Sequence, residues 1–148
     1  AGIVVVVLDA RQDIRRNITN CFVALEAASG RIAAYYTLAA SSIPTTDLPR
    51  ELTRKLPRYP TIPAVRIGRL AVDQRFQGRG LGAALLADAA RRTLAAAPAA
   101  YALVIGAKND EAVAFYRHHG FLSFSSQQRM LFLPLVTAAK VVLPTRSQ

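Results

Sequence analysis

The chain is 148 residues long, a single-domain length, and its 52% hydrophobic and 19% charged residues exclude a disordered chain. One cysteine, Cys21, excludes an intrachain disulfide or a multi-cysteine metal cage and fits a reducing, cytoplasmic setting. Nineteen Lys and Arg against nine Asp and Glu give a net charge of +10, which points to an anionic partner.

The longest aliphatic run, Ile3 to Leu8, is far shorter than the ~20 residues that cross a bilayer and does not resemble a secretion signal. It reads as a strand, and no membrane association is expected. Residues 9–20 follow as a polar, weakly helical stretch. Phe22–Glu26 and Ile32–Ala40 read as antiparallel strands joined by the turn Ala28-Ser29-Gly30-Arg31. Thr46 and Asp47 precede Leu48, Leu52 and Leu56 at helical spacing, which predicts a short helix within Pro44–Leu56. Pro57, Pro60 and Pro63 then end it in an extended connector. Val65–Asp73 reads as a strand whose apolar phase changes, Val65 and Ile67 on one parity and Leu70 and Val72 on the other. A switch at Gly68-Arg69 predicts a β-bulge beside a cleft. Gly80–Ala97 predicts an alanine-rich helix with Leu81, Leu85, Leu86, Ala89, Ala90 and Leu94 inward, stopped by Pro98. Tyr101–Gly106 is apolar throughout, as in a strand buried on both faces. Asp110–His119 predicts a second helix ended by Gly120, and Phe121–Phe124 with Met130–Leu133 a last strand pair. The class is therefore α/β with a mixed central sheet, antiparallel and parallel pairings together. Residues 1–148 read as one domain with a peripheral tail over 136–148.

Sixteen of the nineteen cations are arginine, which favours bidentate phosphate contacts. Arg50, Arg54, Lys55, Arg58, Arg66, Arg69, Arg75, Arg79, Arg91 and Arg92 are opposed only by Glu51, Asp73 and Asp88. A polyanion site and a solvated basic face both account for this stripe.

The strongest chemical signal is Arg75-Phe76-Gln77-Gly78-Arg79-Gly80-Leu81-Gly82, between the phase-switched strand and the long helix. Glycines permit positive φ and unobstructed main-chain N–H groups, and a helix start adds the positive end of its dipole. That combination suits a pyrophosphate, with Arg75 and Arg79 assisting. A Walker P-loop would need Lys followed by Ser or Thr, which Leu81–Ala84 does not provide. A dinucleotide fingerprint would need an early βαβ unit and an acidic strand end, and Tyr101–Gly106 has none. The spacing Arg75-x-x-Gly78-x-Gly80 resembles the acetyl-coenzyme A loop of the GCN5-related N-acetyltransferases, the GNAT family. Asn109-Asp110-Glu111-Ala112 and Phe115-Tyr116-Arg117-His118-His119-Gly120-Phe121 are similar to a second signature of that family. The resemblance spans residues 20–135. Tyr35-Tyr36-Thr37-Leu38-Ala39, Lys55-Leu56-Pro57-Arg58-Tyr59-Pro60 and Gly68-Arg69-Leu70-Ala71-Val72-Asp73 resemble the acetyltransferase toxins of type II toxin–antitoxin modules.

The resemblance implies a GNAT fold with a splayed, bulged strand pair and acetyl transfer from acetyl-CoA to the α-amine of aminoacyl-tRNA, blocking translation. It implies a ribbon-helix-helix antitoxin as partner and leaves open whether the chain forms a homodimer. Carried over residue by residue, Tyr116 is the acid for the departing thiolate. Leu70, Ala71 and Val72, the turn residues Arg75, Gln77, Gly78, Arg79, Gly80, Leu81 and Gly82, and Asn109 are the cofactor contacts. Arg79, Arg91 and Arg92 are the tRNA contacts. Asn109 reads equally well as a helix N-cap, and Tyr116 without the motif reads as a core residue. Asp73 and Glu26 are candidate bases better explained as structural, since a near-neutral α-amine needs little help. His118 and His119 are adjacent and lack ligand companions, so no metal site is expected. Cys21 reads as a small buried hydrophobe rather than an acetyl carrier. Two departures from the family stand out: residues 1–20 form a shortened, atypical segment where members carry two helices, and Gly106 replaces a commonly acidic residue. Acetylation of a small amine or a protein N-terminus, and a non-catalytic RNA- or antitoxin-binding module on a decayed fold, are the competing readings.

Overall fold

The computed structural model describes residues 4–9, 19–96 and 100–137. Seven strands, β1 (Val5–Asp9), β2 (Thr19–Glu26), β3 (Ile32–Pro44), β4 (Thr61–Val72), β5 (Ala102–Gly106), β6 (Leu122–Ser123) and β7 (Met130–Pro134), are hydrogen-bonded in the order β1-β2-β3-β4-β5-β7-β6. Helices α1 (Arg50–Thr53), α2 (Leu81–Ala96) and α3 (Asp110–His118) complete a mixed α/β architecture, the expected class. No helix among the described residues is long and apolar enough to cross a membrane. The chain divides into two compact units, one built from residues up to Ala39 with Ile67–Ala89, the other from Ala40–Arg66 with residues from Ala90 onward.

In the first unit β1 pairs antiparallel with β2, and β2 with β3. Alternation in β2 sends Phe22 and Ala24 inward and leaves Cys21 and Val23 half-buried. Gly30, with φ 72°, closes the hairpin turn, and its N–H donates to the Glu26 carbonyl (2.8 Å). Phe22 stacks on its register partner Tyr36 with ring centroids 5.0 Å apart. The Tyr36 hydroxyl donates to the carboxylate of Asp88 on α2 (2.5 Å), and both residues are buried. Leu81, Leu85, Leu86 and Ala89 of α2 are buried as their spacing requires.

The second unit is organised around Ile43, Leu48, Ile62, Ala64, Ala102, Val104, Phe124 and Phe132. Four of the five β5 residues are buried, which explains its uninterrupted apolar sequence. β5 and β6 both pair antiparallel with β7, Val104 facing Phe132 and Gly106 facing Met130. Helix α3 ends at Gly120 (φ 94°) in a Schellman arrangement: the Phe121 N–H reaches the Tyr116 carbonyl (3.1 Å) and the Gly120 N–H the Arg117 carbonyl (3.0 Å).

Several expectations are corrected. The single helix within Pro44–Leu56 is instead a 3-10 turn at Thr45–Asp47 followed by the one-turn α1. Pro49 forces Leu48 into an extended conformation (φ −94°, ψ 148°), and Pro49 rather than Thr46 or Asp47 precedes the helix. β3 runs on to Pro44, and β4 starts at Thr61, taking Pro63 out of the connector. Pro63 has no N–H to give, but its carbonyl accepts from Tyr101 N–H (2.8 Å). Thr19 and Asn20 belong to β2, so Cys21 lies inside that strand, half-buried. Ala64 rather than Val65 is buried, and the inward parity then moves to Ile67 before Leu70 and Val72. The switch at Gly68-Arg69 is thus preceded by another. The Asp73 N–H bonds to the Ala33 carbonyl and the Thr45 N–H to the Pro60 carbonyl, so 12 steps along β3 face 13 along β4. One extra residue in β4 is what a bulge supplies. Ile3, most of the polar stretch over 9–20, the Pro98 helix stop and the tail beyond Thr137 lie outside the described residues.

Candidate active site

The first unit carries the glycine turn. Asp73 caps a 3-10 turn at Gln74–Phe76 by accepting the Arg75 N–H (2.9 Å), and its carboxylate lies 3.8 Å from Arg75 Nε. Asp73 is therefore a structural residue. Phe76 is buried and anchors the turn, and the Arg79 guanidinium lies over its ring at 5.9 Å. Gly78 and Gly80 have φ of 77° and 79°, and a Cβ at either would meet nothing within 4 Å. Both positions combine a glycine-only backbone with open space, the geometry that lets successive amides face an anion. Leu81 is buried and starts α2, whose first N–H groups have no intrahelical acceptor. Exposed Arg75 and Arg79 add positive charge. These residues fit a pyrophosphate-bearing group such as acetyl-CoA.

The Gln77 side-chain amide donates to the Val72 carbonyl (3.2 Å) and ties the turn to the end of β4. Upstream, Leu70 and Val72 are half-buried and Ala71 exposed. Thr37 of β3, given no role of its own by the sequence, accepts the Arg69 N–H on its hydroxyl (3.0 Å). Two signals pointed there, the glycine at 68 and the Tyr35–Ala39 segment that resembles the toxins.

The second unit carries α3. Asn109 is its N-cap, Oδ1 accepting the Ala112 N–H (2.8 Å), so the capping alternative describes its side chain. Tyr116 is 8% exposed, packed against Phe115 and Phe121 with centroids at 5.5 and 5.7 Å. Its hydroxyl makes no hydrogen bond among the described residues. Burial pushes its pKa above the usual tyrosine value, keeping the hydroxyl protonated. His119 is shifted the other way, by desolvation and then by the neighbouring charge of His118, and is neutral near pH 7.

The structure thus brings Leu70–Val72, Arg75 and Gln77–Gly82 together in one unit and Asn109 with Tyr116 in the other. Arg91 is exposed and Arg92 half-buried at the end of α2, in the unit of Tyr116, whereas Arg79 belongs to the glycine turn. Glu26 accepts the Ser29 hydroxyl (2.5 Å) at the hairpin, a structural role.

The acetyltransferase (GNAT) domain family matches residues 17–122, which include the glycine turn and the whole α3 motif. The chain belongs to the GNAT family. It is 40% identical over 105 residues to the tRNA-acetylating toxin of Mycobacterium tuberculosis, a match covering 70% of this chain and 61% of that one. The chain therefore spans less than two thirds of the length of that curated relative. Among solved structures, AtaT complexed with acetyl-methionyl-tRNAfMet is similar with a TM-score of 0.77 and 31% identity, covering 86% of this chain and 77% of that chain. AtaTR bound with AcCoA is similar with a TM-score of 0.69 and 26% identity, covering 95% and 98%.

Proposed function

We propose that this chain transfers acetyl from acetyl-CoA to the α-amine of aminoacyl-tRNA and serves as the toxin of a toxin–antitoxin pair. The observation that carries the reading is the likeness to a tRNA-acetylating toxin in a chain that keeps both the glycine turn and Tyr116. In this reading the partner is a ribbon-helix-helix antitoxin and the setting is the cytoplasm.

Acetyl-CoA supplies an activated acetyl thioester. The amides of Gly78 to Gly82, with Arg75 and Arg79, hold its pyrophosphate. Main-chain groups of Leu70 to Val72 pair with its amide-bearing arm and polarise the acetyl carbonyl. Gln77 keeps the turn in register with that strand end. The neutral α-amine attacks the carbonyl carbon, the C–N bond forming as the C–S bond breaks; Tyr116 gives its hydroxyl proton to the departing sulfur, and the proton shed by the amine returns through water to the tyrosine oxygen. Arg79, Arg91 and Arg92 bind tRNA phosphates.

The test is transfer of labelled acetate from acetyl-CoA to a mixture of aminoacyl-tRNAs, run beside polyamine and peptide acceptors. Label on aminoacyl-tRNA is expected; label on the other acceptors alone would move the chain to small-amine or peptide acetylation, and no transfer to a decayed scaffold. The pH profile is a further prediction. An α-amine loses its proton near pH ~8 or below, and Tyr116 stays protonated beyond its usual pKa of 10.0. The rate should rise through the amine pKa and then stay level past pH ~10. A falling limb centred between pH ~8 and ~9 would remove Tyr116 as the acid. Replacing Arg79 and Arg92 together by Glu should weaken tRNA binding and flatten the dependence of log affinity on log salt by about 2. An unchanged slope in a folded variant would make the cationic stripe a solvated face.

A further inference from the structure

Three fastenings in the first unit hold the end of β4, and one of them comes from a side chain of the neighbouring strand. The Asp73 N–H donates to the Ala33 carbonyl (2.8 Å), the Gln77 side-chain amide to the Val72 carbonyl (3.2 Å), and the Arg69 N–H to the Thr37 hydroxyl oxygen (3.0 Å). The first and the last bracket Leu70–Val72 from the β3 side. A bulge leaves an N–H of its strand off the ladder, and a donor left over in this way needs an acceptor. Arg69 gives its N–H to a side chain instead of a main-chain carbonyl, which places the extra residue of β4 at Gly68-Arg69. Gly68 leaves the oxygen its room, since a Cβ there would crowd it. Thr37 is branched at Cβ and stiff about χ1, so that oxygen is held in one place.

Successive N–H groups of a strand point to opposite edges. One turned to β3 is spent in the ladder, and only one turned away from β3 can meet an oxygen outside it. A slip of β4 by one residue would exchange the two sets. Where the extra residue is fixed therefore decides which amides of Leu70–Val72 can polarise an acetyl carbonyl.

We propose that Thr37 is a positioning residue for acetyl transfer: its hydroxyl clips the extra residue of β4 in place and so aims the Leu70–Val72 amides at the carbonyl oxygen. The proposal rests on the acetyl-transfer reading given under Proposed function. Thr37 acts through Arg69 and not on the reacting atoms.

The test compares Thr37→Val with Thr37→Ser in the full chain. Valine keeps the branched shape and the strand preference but not the acceptor. The Arg69 N–H it abandons belongs to an exposed residue, where water can take it, so the variant should fold. Thr37→Val should lower kcat for transfer from acetyl-CoA to aminoacyl-tRNA by about 10-fold or more, while the Kd for acetyl-CoA, set by the glycine turn, moves less than ~3-fold. Thr37→Ser, which retains the oxygen, should keep kcat within ~3-fold of the parent. Amide hydrogen exchange at Arg69 should quicken in Thr37→Val and not in Thr37→Ser. Equal losses in the two variants would tie the rate to side-chain shape and overturn the proposal. So would unchanged exchange at Arg69, or a lower urea midpoint with the kcat of folded Thr37→Val unaltered, which would leave Thr37 a structural residue. Transfer by the parent and by Thr37→Val alike would sink this proposal alone; no transfer by the parent would sink the acetyl-transfer reading and the proposal with it.

Discussion

Replacing Tyr116 with phenylalanine is expected to slow acetyl transfer by ~10²- to 10⁴-fold, the usual contribution of a positioned general acid, without loss of fold or of acetyl-CoA affinity. The prediction is sharp because the substitution removes so little else. The ring stays packed against Phe115 and Phe121. The hydroxyl has no partner among the described residues, so its removal orphans no donor or acceptor. A core tyrosine with only a packing role would leave the rate unchanged, and that result in single-turnover assays would end the assignment. A parallel loss of acetyl-CoA affinity would instead mean that Tyr116 helps hold the donor.

Replacing Phe132 with alanine is expected to destabilise the protein by about 3–5 kcal/mol, the range for removing a buried aromatic ring. Phe132 is fully buried on β7, faces Val104 on β5 and contacts Phe124 with centroids 5.6 Å apart. Total stabilities of ~5–15 kcal/mol leave little margin for such a loss. The urea midpoint should fall steeply, and Phe132→Leu should recover much of it by refilling the void. A change below about 1 kcal/mol would show that the cluster around Ile43, Ile62 and Val104 closes up without the ring.

What the sequence revealed depended on whether a residue's task is local. Gly78, Gly80 and Gly120 announce positive φ at a turn and at a helix end, and the structure has all three there. The stripe through Leu81, Leu85 and Ala89 and the apolar run of β5 likewise report their own burial. Tertiary partnerships were not visible. Asp88 read as one of the few acids opposing the cationic stripe, yet it is buried against the Tyr36 hydroxyl, 52 residues away in the chain. Gln77 looked like one more polar member of the turn, and its brace to Val72 depends on where β4 ends. Around Leu48 the leucine spacing was helical, but Pro49 outweighed it because a residue before proline is driven from the helical region. The roles proposed for the turn residues and for Tyr116 rest on the motifs, not on periodicity or composition.

A Cβ on Gly68 would stand 2.8 Å from the Thr37 hydroxyl oxygen, and that oxygen also receives the Arg69 N–H. Shrinking Thr37 to alanine would open the space but strip the Arg69 amide of this acceptor, whereas enlarging Gly68 alone would force the hydroxyl away. Neither single change is free, and the two positions are locked together although they lie 31 positions apart in the chain. Drift at this point of β4 must therefore proceed by paired replacement, so Thr37 and Gly68 should covary among relatives while the strand surface around them diverges.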